Sequence, residues 1–218
     1  MEKYTFLTIN QSFFFEIPKI KGSRFLWYVF PIQTKEDFEK QLEAIKKEHF
    51  SATHHCYAYK YDCQCQKDLF GIPHYLSLQT RANDDGEPSN TAWKPILSVL
   101  DGENLHNLGL IVVRYFWGTL LGVGGLIQAY SQAAKETIAH ANIIEQEMVT
   151  NFEITSTYDQ ISLLSFLFKK YEIKILNTTY ETDTSWKITQ KLQINQGFFE
   201  SFQQELFDKS KGVLNIKK

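Results

Sequence analysis

The sequence predicts an α+β protein of two domains, residues 1–145 and 146–218. Three observations predict it. The run from Leu110 to Val113 reads as a buried strand, four of the chain's eleven glycines crowd positions 118–125, and a helical stripe follows. Upstream of that segment, strand-like alternation and helical spacing are mixed. Downstream, residues 150–218 read strand, helix, strand, strand, helix, strand, which is the ferredoxin-like order.

The totals narrow the class. With 218 residues, 43% apolar and 15% aromatic, the chain can bury a real core. A net charge of −2 argues against a large basic face for nucleic acid, and no apolar run is long enough to span a bilayer. Met1, Glu2 and Lys3 lead into no long apolar stretch, so a secretory signal is not expected. Three cysteines without such a signal fit free thiols in a reducing cytoplasm, where the chain is expected to reside.

In chain order, residues 4–9 and 12–17 alternate around Asn10-Gln11 and suggest a hairpin. Residues 19–22 form a basic turn, and residues 23–32 read as a buried strand ended by Pro31. Thr34, with Asp37 three residues on, is a helix N-cap, and Phe38, Leu42 and Ile45 give that helix its apolar stripe. Residues 53–61 form a strand with His55, Tyr57, Tyr59 and Tyr61 on one face and His54, Cys56 and Ala58 on the other. Residues 63–72 lack a clean period and are expected to be an exposed excursion. Residues 75–82 form another strand, and residues 83–88 (NDDGEP) a strong turn. Residues 91–100 are helical, with Pro95 in the first turn and Ile96, Leu97 and Leu100 on the apolar face. After Asp101-Gly102 comes the central strand. From Leu126 onward, Leu126, Ala129, Tyr130, Ala133 and Ala134 keep helical spacing. A boundary falls at residues 144–149. The tail carries no glycine loop, cysteine or histidine, so no chemistry is expected there.

Strand, glycine loop and helix together can aim backbone N–H groups at an anion. The loop lacks the Lys-Ser or Lys-Thr of a Walker motif and the spacing of a dinucleotide fingerprint, and a tight turn is the plainer reading. The charged residues add a clue. Twenty lysines are spread along the chain, whereas the three arginines, Arg24, Arg81 and Arg114, sit beside glycine or acidic turns. A planar guanidinium suits bidentate pairing with carboxylates, which places Arg81 and Arg114 beside Asp84, Asp85 and Glu87. The acidic turn could hold a hard cation or act as acid and base, but a tight turn whose carboxylates cap the following helix is the favoured reading. His54, His55, Cys56, Cys63, Cys65 and His74 suggest zinc, but Cys-x-Cys is not the usual knuckle spacing. Neighbours on a strand face opposite ways, which excludes a Cys56–His55 nucleophile pair.

Three segments in this order, residues 53–59 (THHCYAY), 81–97 (RANDDGEPSNTAWKPIL) and 114–130 (RYFWGTLLGVGGLIQAY), resemble the IMPACT/YigZ family. The resemblance implies a first domain similar to a ribosomal-protein fold and to the fourth domain of elongation factor G. The tail would be similar to that factor's fifth domain. It further implies a role in translation. Eukaryotic relatives are tied to translational control through protein contacts with a regulator of an initiation-factor kinase, and bacterial ones have been linked to nucleic acid. The family has no established catalytic residues, so none is transferred. This chain has Asn90, Trp93 and Trp117 where the family pattern reads glycine, and Leu120 and Gln128 where it has a lysine and an arginine. Both indoles are expected to border the glycine loop and to wall off an anion pocket.

The expectation is therefore a non-catalytic binding protein. Its binding residues would be His55, Arg81, Asp84, Asp85, Glu87, Trp93, Arg114, Trp117, Gly122, Gly124 and Gly125. No metal or cofactor is expected, and the partner would be translation machinery (ribosome, RNA or a regulatory protein), not DNA or a membrane. The alternatives are a hydrolase-type enzyme using the acidic turn and His55 around the glycine loop, and a pure protein–protein module.

Overall fold

The computed structural model describes residues 3–67, 73–181 and 186–217. The chain divides into two compact units, Phe6–Gln146 and the described part of Met1–Thr5 with Glu147–Lys218.

The larger unit is built on a five-stranded antiparallel sheet. Its strands are β2 (Phe13–Glu16), β3 (Arg24–Pro31), β4 (His54–Lys67), β5 (Pro73–Asn83) and β6 (Leu108–Tyr115). They lie in the order β2-β3-β6-β4-β5, with the apolar β6 in the centre. Period-two alternation sends β3 and β6 side chains to both faces, and both faces are covered. Phe25, Trp27 and Val29, with Cys56, Ala58, Leu110 and Val112, pack against the helix α2 (Trp93–Gly102) and the helix α3 (Gly122–Ala139). Leu26, Phe30, Tyr59, Ile111 and Val113 face the helix α1 (Lys35–Glu48) through Phe38 and Ile45. Gly109 on β6 has no room for a side chain, because a Cβ would meet Phe38 at 2.6 Å and Phe30 at 2.9 Å. The expected cap of α1 is present: Thr34 Oγ1 accepts from the Asp37 N–H, and Asp37 accepts from the Thr34 N–H.

Three expectations are corrected. Residues 4–9 and 12–17 do not form a hairpin, because β1 (Thr5–Ile9) pairs with β7 (Ile143–Glu147) while β2 pairs with β3. Short strands near in sequence found better partners far away, which local alternation does not report. Residues 63–67 are no excursion: β4 continues through them against β5, Cys63 is buried, and burial pushes its thiol up to about 12. The remainder of that expected excursion, residues 68–72, lies outside the described residues. Lastly, α3 begins at Gly122, so three of the four crowded glycines belong to its first turn and only Gly118 to the loop.

The smaller unit runs β8 (Val149–Thr157), a 3-10 turn at Tyr158–Gln160 leading into α4 (Ile161–Lys170), β9 (Lys174–Tyr180), β10 (Lys187–Asn195), α5 (Gln196–Ser210) and β11 (Ile216–Lys217). Its four strands lie in the antiparallel order β11-β8-β10-β9. Leu164, Leu167 and Phe168 of α4 join Phe199, Phe202 and Leu206 of α5 in its core. Leu163 is only partly buried and Phe166 is exposed, so the buried stripe of α4 lies one position from the expected one. The Asn195 side chain caps α5 through the Gly197 N–H at 3.0 Å. The same side chain accepts from the Tyr4 N–H at 2.9 Å and donates to the Tyr4 carbonyl at 3.1 Å.

Two measurements test this packing. Phe202 is fully buried, so Phe202→Ala should cost about 3–5 kcal/mol in urea unfolding, whereas Phe207→Ala, at an exposed ring, should cost under about 1 kcal/mol. His106 is buried between Ser77 Oγ at 2.8 Å and Asn104 Oδ1 at 3.1 Å, and burial depresses its pKa to about 4. A neutral folded histidine and a protonated unfolded one mean that stability falls as pH drops from about 6.5 towards about 4, by up to about 3 kcal/mol. His106→Gln should flatten that part of the pH–stability curve.

Candidate functional site

The sheet register decides which expected residues meet. Arg114 on β6 stands opposite His54 on β4, and both point to the α2/α3 face. Arg81 on β5 stands opposite Tyr59, on the α1 face. The two arginines are therefore on opposite sides of the sheet. Arg114 reaches the acidic turn as expected; Arg81 is exposed and donates to the Thr80 carbonyl at 2.9 Å. The pairing expected for Arg81 is not formed.

Glu87 is the centre of the group. It is buried, and its Oε1 accepts from Arg114 Nη1 at 2.5 Å and from the Tyr130 hydroxyl at 2.9 Å. The second amino group of Arg114 donates to Ser23 Oγ at 3.1 Å, and its guanidinium lies over the rings of Phe25 and Phe116. Arg114 Nε is buried without a partner among the described residues. Tyr130 comes from the inner stripe of α3. Desolvation, with Cys56 and Glu87 beside it, holds its hydroxyl well above the usual tyrosine range, so it stays a donor. Cys56 lies next to it, with its thiol donating to the Asp84 carbonyl at 2.9 Å, and burial raises that thiol far above the ordinary cysteine value. Such a thiol is inert as a nucleophile.

The other carboxylates serve the backbone. Asp84 Oδ1 accepts from the N–H groups of Ala92 and Trp93 at 3.0 and 2.9 Å, and Oδ2 from Asn90 at 2.7 Å. It caps α2 from eight residues upstream, replacing a local N-cap that the sequence lacks. Asp85 has φ +45° and accepts the His55 N–H at 2.6 Å, with Lys46 at 3.7 Å. His55 is buried on the α1 face, and desolvation lowers its pKa against the opposing pull of Asp85. His54, on the other face, places Nδ1 at 2.8 Å from the Asp85 carbonyl and Nε2 at 3.9 Å from Glu87 Oε2.

Neither tryptophan enters this group. Trp117 is exposed and stacks on Tyr115, 5.7 Å away and 8° from parallel, beside the His49–Tyr115 hydrogen bond. Trp93 opens α2, half-buried, on the face opposite Trp117, and it meets the acidic turn through its backbone N–H on Asp84. The indoles do not wall a common pocket; the cavity at the start of α3 is bordered instead by Leu120, Gly122 and Val123. Gly122 has φ +71°, a left-handed conformation that favours glycine, whereas Gly124 and Gly125 lie inside the helix. Tyr130 and His54 were not among the expected binding residues. Tyr130 reads as one more apolar position of a helical stripe, and His54 is assigned only once the β4–β6 register is known.

Residues 21–138 match the Impact N-terminal domain family model. The chain belongs to the IMPACT family. It is 37% identical over 202 residues to an IMPACT family member of Haemophilus influenzae, covering 91% of this chain and 90% of that protein. It is 28% identical over 200 residues to IMPACT family member YigZ of Escherichia coli, covering 92% and 91%. A crystal structure described as that of a hypothetical protein superposes with a TM-score of 0.66 at 26% identity, covering 100% of this chain and 98% of that one. The matched IMPACT region contains every residue of the Glu87–Arg114–Tyr130 group. Among the described residues, no three His, Cys, Asp or Glu side chains are arranged to hold a metal, and no helix is long and apolar enough to cross a membrane.

The buried ion pair gives a direct test. Glu87→Ala strands Arg114 without its counter-ion and should cost about 3–5 kcal/mol. Glu87→Leu combined with Arg114→Met should recover much of that loss in the same denaturant titration.

Proposed function

We propose that this IMPACT-family chain is a non-catalytic binding protein of the cytoplasmic translation machinery, acting through its first domain. The observation that carries the reading is the employment of the acidic turn. Asp84 caps a helix, Asp85 holds the β4 backbone, and Glu87 is neutralised by Arg114 and Tyr130. A hydrolase built on these groups would need a free base or cation ligand, whereas the one of the three carboxylates that borders the cavity at the start of α3, Glu87, is 2% exposed with its charge balanced by Arg114. The surface beside them is apolar instead. Leu120 and Val123, which border the cavity next to Glu87, are exposed, as is Ile127 further along α3. A protein partner or a single-stranded RNA base fits such a surface better than a phosphate chain does. The likeness of the first domain to the fourth domain of elongation factor G, and of residues 146–218 to a ferredoxin-like domain, belongs to the same proposal. The β11-β8-β10-β9 order supports the second likeness.

Capture from a lysate of the organism's cells, scored for ribosomal particles against soluble proteins, tests the partner class. Retention should survive a change from about 50 to about 200 mM salt, because few phosphates are engaged. Leu120→Asp with Val123→Asp should abolish it. A steep salt dependence, or capture unchanged by those two aspartates, contradicts the apolar contact.

A further inference from the structure

A cavity of about 290 Å³ lies between the acidic turn, the end of β6 and the start of α3. Its apolar walls include Phe116, Leu120, Val123 and Leu126, and its polar end is formed by His54, Glu87 and Arg114. Hydrogen bonding at that end is incomplete in a specific way. The Asp85 carbonyl can only accept, so His54 Nδ1, 2.8 Å from it, carries a proton. A neutral His54 therefore presents Nε2 as an acceptor. Facing it at 3.9 Å is Glu87 Oε2, a second acceptor on a side chain that is 2% exposed. No hydrogen bond among the described residues reaches that oxygen, since Arg114 and Tyr130 both bind Oε1. These two acceptors face each other with no donor from the described residues between them. The same cavity is lined by the start of α3, whose first N–H groups have no side-chain cap and are open to an acceptor from a ligand.

We infer that this cavity is a binding site for a small ligand carrying a primary carboxamide on an apolar body. The two amide hydrogens answer His54 Nε2 and Glu87 Oε2, the amide carbonyl answers the start of α3, and the body rests against Phe116, Leu120, Val123 and Leu126. A carboxylate would set acceptors against acceptors at the His54–Glu87 end. An ammonium would meet a carboxylate whose charge Arg114 already balances at 2.5 Å, next to the positive end of a helix. A neutral group that both donates twice and accepts satisfies each wall. The competing arrangement is an imidazolium at His54 paired directly with Glu87, which leaves no demand for a donor from a ligand. The site shares Leu120 and Val123 with the proposed partner surface, and its test is kept separate by using only the chain and small molecules.

The probes are benzamide, N,N-dimethylbenzamide and benzoate, titrated into the full chain while the amide resonances of Gly122 and Val123 are followed by NMR. Benzamide should shift both resonances saturably at millimolar concentration. Dimethylbenzamide, which keeps the carbonyl but loses both N–H groups, and benzoate, which keeps the shape but donates nothing, should each bind about tenfold or more weakly. His54→Leu should weaken benzamide by about tenfold. Val123→Trp, at the apolar wall, should block it with little change in thermal unfolding. If His54→Leu fails to fold, the probe series and Val123→Trp carry the test. Equal or tighter binding of benzoate would make the site a helix-terminus anion site. Equal binding of dimethylbenzamide would make it an apolar hole, and no saturable shift with benzamide would mean that His54 and Glu87 satisfy each other. Any of these three results overturns the inference.

Discussion

The buried Glu87 carboxylate is the constraint around which the larger unit is arranged. A charge in that position persists only with compensation, and the group that provides it is assembled from three separate stretches of sequence. Arg114 arrives from the central strand, Tyr130 from the helix after the glycine loop, and Glu87 itself from the turn before α2. One carboxylate thus ties the strand to both of the helices that cover that face. Specificity follows from direction as well as charge. Tyr130 spends its single proton on Glu87, which leaves the Cys56 thiol to donate to the Asp84 carbonyl, so each proton in the chain has one destination.

The acidic turn is an example of residues that look catalytic and behave structurally. Three carboxylates beside histidines and an arginine suggest acid–base chemistry on composition alone. In the fold each has been given a backbone or ion-pair duty, and the turn adopts positive φ at Asp85 and Gly86 to deliver those duties. Gly86 is held close to the His54 ring, where an added Cβ would lie 3.5 Å from Nδ1. The imidazole orientation follows from the backbone, because His54 Nδ1 donates to the Asp85 carbonyl of this turn.

How much of this was legible follows from what each signal can encode. The alternation of residues 54–61 and the Thr34 cap were readable because both are local, set by strand parity and by one side chain reaching three residues on. The central strand was readable because a run of β-branched residues buried on both faces leaves no other reading. The grouping of Arg114 with Glu87 was legible from residue type, but the same argument misassigned Arg81. Which face an arginine occupies depends on cross-strand register, and register is a property of pairs of strands, not of any single one. Tyr130 was hidden by its own periodicity, since a stripe records where a side chain points and not what its hydroxyl touches. The partners of the first two strands were hidden for the same reason as Arg81, being set by pairing over long separations.

The Asn195 side chain holds Tyr4 across 191 positions of sequence while it also starts α5. Loop closure over such a separation comes late, because the entropy of bringing the ends together must be offset before the contact contributes. On a ribosome the first residues of this chain emerge long before Asn195 does. The smaller unit therefore assembles non-vectorially, its opening residues waiting until Asn195 has been made, whereas the sheet of the larger unit can close as soon as β6 has been made.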